Sequence, residues 1–102
     1  MVQNLHKVDP VLGALNRKLK HVFDEREDNE MVVTVGGDHS IGSATISAAL
    51  SKYPDLKVIW VDAHADFVNP YLKGTPKQNY HGMPLSHVSG VMSLPGFNWL
   101  QE

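Results

Sequence analysis

The chain has 102 residues, enough for one small domain and not for two. Hydrophobic residues make up 42%, the net charge is −2 and there is no cysteine. That composition supports a core, and it excludes disulfides, thiolate metal sites and the basic field that nucleic acid or an anionic membrane would call for.

No apolar run approaches the roughly 20 residues needed to cross a bilayer. The opening MVQNLHKVDP has neither a signal-peptide core nor transit-peptide character. A soluble, cytoplasmic protein without membrane or nucleic-acid partners is the expectation.

In chain order, Asp9-Pro10 reads as an N-cap followed by proline at the first helical position. A helix over 10–23 follows, with Val11, Leu12, Leu15, Leu19, Val22 and Phe23 at helical spacing. The acidic run 24–30 reads as a solvated loop. Residues 31–35 are a continuous β-branched run suited to a strand covered on both faces, stopped by Gly36-Gly37. Ser40 can cap a helix over 40–52, whose packing face is Ile41, Ala44, Ala48 and Ala49. Pro54 breaks it, and 57–62 reads as a second buried strand. Strand, helix and strand in about 30 residues predict a right-handed βαβ unit with parallel strands. Residues 62–84 form a metal- and substrate-binding loop in this reading. Leu85 to Met92 could form a short helix, and Pro95 to Glu102 carries no clear signal.

Both strands of a parallel unit end at one edge of the sheet, where open α/β folds place ligands. Asp38 and His39 leave the first strand there. Asp62, His64 and Asp66, in DAHAD, leave the second, and alternate residues of an extended segment face one side. Carboxylates with imidazoles and no thiolate favour Mn²⁺, Zn²⁺ or Fe²⁺ over copper. Asp62, flanked by ligands, could bridge two metals that activate a water. A lone D-x-H-x-D arises by chance, and a lone His39 after two glycines is more often a turn residue or a cap; their convergence at two strand ends is what argues for a metal. His81 is either an exposed histidine or a proton carrier near the metals. His6, His21 and His87 have no supporting context and read as structural or surface residues.

GGDHS (36–40), DAHAD (62–66) and NYHGMP (79–84) resemble the ureohydrolases, and the arginases in particular. The first two are shared across arginases, agmatinases and formimidoylglutamases. The third looks like arginase more than agmatinase. The resemblance implies part of a three-layer α/β/α parallel-sheet fold. It also implies two Mn²⁺ ions, one on His39, Asp62 and Asp66 and one on Asp62 and His64. His81 would be the catalytic proton carrier, and His64, Asp66, Asn69 and Asn79 would be substrate-binding. The implied reaction is hydrolysis of L-arginine to L-ornithine and urea, as in the urea cycle, by a homo-oligomer (trimer or hexamer).

The family's second metal motif, a later Asp-x-Asp, and the late glutamate that orients the guanidinium are not in this sequence, nor is its first strand. Asp66-Phe67-Val68-Asn69-Pro70 stands where arginases commonly read Asp-Ile-Asn-Thr-Pro, so the substrate asparagine is lost or shifted to Asn69. The expectation is therefore a truncated arginase-like domain with four of six usual ligands, inactive by itself. The alternatives are another ureohydrolase such as agmatinase, or a non-catalytic metal-binding or regulatory isoform.

Overall fold

The computed structural model describes residues 2–100. Its frame is a pair of helices, α1 (Leu5–Glu25) and α2 (Ile41–Lys52), with a short helix α3 (Pro84–Val88) packed on α2. Single 3-10 turns lie at Tyr80–Gly82 and Asn98–Leu100.

Helix α1 begins five residues before the expected start. Asn4, in the left-handed region at φ 59°, turns the chain into it, and Leu5 and Val8 pack on the core. Pro10 thus sits inside the helix. It and His6 are exposed, so the carbonyl that loses its donor lies toward water. Asp9 is not a cap; its carboxylate accepts the Trp99 indole N–H at 2.8 Å. The buried stripe is Leu12, Gly13, Asn16 and Leu19, whereas Val11, expected on the packed face, is exposed.

Helix α2 presents Gly42, Ser43, Ala44, Ser47 and Ala48 to its neighbours. Side chains this small let α1 approach closely, and Asn16 Nδ2 donates across the interface to Ser47 Oγ at 2.6 Å. Ser40 does not cap α2 through its side chain. Instead Asp38 Oδ1 accepts the Ser40 N–H at 2.8 Å.

The expected strands 31–35 and 57–62 are not formed, and no strand is present among the described residues; an isolated parallel bridge joins Val2 to Gln78. Apolar runs become buried strands only when neighbours pair with them and cover both faces. Here Val33, Val35, Ile59 and Val61 are 72%, 91%, 89% and 92% exposed. The parallel sheet therefore has no counterpart among the described residues.

The core lies elsewhere. Val2, Leu12, Ala44, Tyr80, Met83, Met92, Leu94, Phe97 and Trp99 form it, so residues 92–99 supply nearly half, Phe97 and Trp99 coming from the stretch after Pro95 that carried no clear sequence signal. The helix expected over 85–92 is shorter: Gly90, at φ +77°, turns the chain after Val88, and its N–H bonds the His87 carbonyl at 3.1 Å.

Candidate metal centre

His39 lies in the turn that leads into α2, where its carbonyl accepts the Gly42 N–H at 2.9 Å. Its imidazole stacks on the Trp60 ring at 4.3 Å, tilted by 28°. Gly42 makes room for that stack. A Cβ there would stand 3.2 Å from His39 Cδ2 and 3.3 Å from Trp60 Cη2. With the ring fixed, Nδ1 points at two carboxylates, Asp66 Oδ2 at 2.6 Å and Asp62 Oδ2 at 3.0 Å. One donor atom from each of the three residues lies within 4.8 Å of the others.

The two aspartates are placed by different means. Asp62 Oδ1 accepts the backbone N–H of His64 at 2.9 Å. That bond, followed by the charges of His39 and His64, holds the Asp62 carboxyl below its ordinary range. Asp66 sits in the left-handed region at φ 48°, which aspartate tolerates better than most residues. Its carbonyl accepts the Leu85 N–H at 3.1 Å, and Val68 N–H bonds the Gly82 carbonyl at 3.3 Å. The segment 80–88 therefore holds the 66–68 stretch from behind. Asp38 stands outside this trio, its Oδ1 accepting the Ser40 N–H. That bond, with smaller contributions from His81 and His39, lowers its carboxyl.

The remaining residues singled out from the sequence are less closely gathered. The His64 imidazole is 85% exposed and its Nδ1 lies 3.9 Å from Asp62 Oδ1, outside the three-residue group. His81, exposed on its 3-10 turn, shares an open cleft with His64, Ala65, Asp66, Phe67, Val68 and Gly82. Asn69 and Asn79 do not line it: the Asn69 side chain accepts the Tyr71 N–H at 3.0 Å, and the Asn79 carbonyl accepts the Gly82 N–H at 3.2 Å. Trp60 escaped the sequence reading, which takes it as one more strand residue. His87, taken as structural or surface, is buried. Trp60 carries no local signal, because the His39 ring it stacks on lies far back along the chain.

An imidazole held between two carboxylates suits a divalent metal of hard or borderline character. Ionised carboxylates only accept, so Nδ1 carries the proton in this arrangement, and a cation bound there would take that proton's place.

The comparisons with known proteins agree with that chemistry. The arginase family model matches residues 2–101, and the chain belongs to this family of metal-dependent hydrolases. It is 36% identical over 104 residues to the hepatic arginase of Aquarana catesbeiana, a match covering 97% of this chain and 32% of that protein. With the mitochondrial arginase-2 of Rattus norvegicus it shares 42% identity over 96 residues, covering 88% and 27%. With the arginase of Saccharomyces cerevisiae it shares 49% over 63 residues, covering 62% and 18%. The chain thus spans about a third or less of the length of these relatives. No solved structure matches it.

Proposed function

We propose that the chain supplies the first part of an arginase metal centre, serving hydrolysis of a guanidino substrate, L-arginine, to L-ornithine and urea. The observation that carries this reading is the convergence of His39 Nδ1 on Asp62 and Asp66 in a chain of this family. His39, Asp62 and Asp66 would hold one Mn²⁺ ion, and Asp62 with His64 would hold part of a second. The ions supply Lewis acidity that lowers the pKa of water and polarises the guanidinium.

What the protein's own groups do follows from their placement. Trp60 and Gly42 orient the His39 ring, so that Nδ1 would face a bound cation. Asp62 and Asp66 would supply the charge that holds it. His81, which lines the cleft together with Asp66, carries the proton that the departing amine takes up as the guanidinium carbon–nitrogen bond breaks. His64, Asp66, Asn69 and Asn79 are the proposed substrate contacts. A parallel α/β/α sheet, a homo-oligomer, a cytoplasmic location and a place in arginine breakdown belong to the same proposal.

A second reading, a chain that binds metal without hydrolysing, is favoured by one observation: three donors converge and the His64 ring is turned out to solvent. The test is a chimera in which residues 2–100 replace the matched span of the hepatic arginase. Urea release from L-arginine with Mn²⁺, abolished by Asp62→Ala, is the expected result. Release from agmatine in preference to arginine would move the assignment to agmatinase. No release from either, with Mn²⁺ still bound, would establish the non-catalytic reading.

A further inference from the structure

Behind the cleft lies a buried polar chain that the metal chemistry does not use. Tyr80 is 2% exposed and His87 3%, and both lie in the core against Phe97, Tyr80 stacked at 5.2 Å and His87 edge-on at 4.8 Å. The Tyr80 hydroxyl is 2.8 Å from Ser43 Oγ and 2.6 Å from His87 Nδ1, and Ser43 Oγ is 3.2 Å from the Ser40 carbonyl. A carbonyl only accepts, and each hydroxyl has one proton. All three contacts are hydrogen bonds at once in a single arrangement: His87 Nδ1–H donates to Tyr80, Tyr80 to Ser43, and Ser43 to the Ser40 carbonyl. Burial pushes the His87 imidazole down to about 4, so it is neutral near pH 7, and this arrangement puts its one proton on Nδ1.

The chain of bonds joins three pieces of the site. Ser40 follows His39. Tyr80 precedes His81 on the same 3-10 turn. His87 is on α3, whose Leu85 N–H holds the Asp66 carbonyl. We propose that Ser43, Tyr80 and His87 form a positioning relay that fixes the turn bearing His81, and with it Asp66, against the start of α2. None of the three touches the cleft. They act through the residues beside them, and the inference rests on the metal reading only for the meaning of the position they set.

The experiment is amide hydrogen exchange on this chain at neutral pH, read at Gly82 and Met83 relative to the central amides of α1. Tyr80→Phe and His87→Leu each remove one donor and keep most of the bulk. Each should speed exchange at Gly82 and Met83 by about tenfold over α1, the worth of one buried hydrogen bond. His87→Asn places an amide N–H where Nδ1–H stood and should restore the ratio to within about twofold. Unchanged ratios in Tyr80→Phe, acceleration shared equally by α1, or failure of His87→Asn to differ from His87→Leu would each overturn the relay in favour of plain core packing. Added Mn²⁺ gives a second arm, since paramagnetic broadening of the His81 ring protons should weaken in Tyr80→Phe. Equal broadening in both proteins overturns the positioning of His81. No broadening at His39 in either overturns the metal reading, and the exchange ratio then decides the relay alone.

Discussion

Acidification should destabilise this fold through His87 before it protonates most carboxylates. The imidazole is buried between Tyr80 and Phe97, and burial depresses it from 6.5 to about 4 against the opposing attraction of Asp9. The unfolded chain therefore binds a proton at His87 that the folded chain refuses. Stability is full above pH 6.5 and is lost as pH falls from 6.5 to about 4. The whole drop is worth about 3 kcal/mol, of which about 2 kcal/mol is gone by pH 5. That is a large share of a small domain's stability. The lowered carboxyls of Asp38 and Asp62 act in the same direction but below their ordinary value of 3.8, so the window from pH 6.5 to 5 belongs to His87. Urea denaturation followed by Trp60 and Trp99 fluorescence at pH 7, 6 and 5 measures it. The unmodified chain should lose about 2 kcal/mol more than His87→Asn across that range. Parallel pH profiles for the two proteins would refute the argument, because burial of a neutral imidazole would then not be what His87 contributes.

Three further outcomes follow from named contacts. Asn16→Ala removes the bond to Ser47 between α1 and α2 and should cost about 1–3 kcal/mol in the same denaturation assay. Gly42→Ala puts a methyl against His39 and Trp60, and by shifting the ring it should weaken Mn²⁺ binding about tenfold in a calorimetric titration. Asp62→Ala should weaken that binding more than His64→Ala, since Asp62 lies against His39 while the His64 ring stands outside the group; equal losses would count against the three-residue centre.

The convergence of His39, Asp62 and Asp66 was legible in part, since one short motif carries both aspartates and another the histidine 27 residues before Asp66, whereas His64, read with them, stands outside the group. DAHAD sets Asp62 and Asp66 four residues apart, and the Gly36-Gly37 stop delivers His39 just before a helix. Helix α2 was legible from small residues ended by Pro54. What could not be read depends on partners distant along the chain. The Asn16–Ser47 bond spans 31 residues and the Tyr80–Ser43 bond 37, and nothing near either residue names its partner. The runs at 31–35 and 57–62 have the composition of buried strands, but pairing needs neighbours, and none covers them here. Asp9-Pro10 misled because the capping pattern was complete in itself, while the true start of α1 is set by Leu5 and Val8 packing on a core to which residues 92–99 contribute nearly half.

The central claim is that His39, Asp62 and Asp66 make one divalent metal site. Electron paramagnetic resonance of Mn²⁺ titrated into this chain tests it most directly, beside a chain carrying His39→Ala, Asp62→Ala and Asp66→Ala together. The unmodified chain should silence the free-ion signal up to roughly one ion per chain, and the triple variant should leave it unchanged. A free-ion signal unaffected by the unmodified chain, or silenced equally by both, would contradict the account.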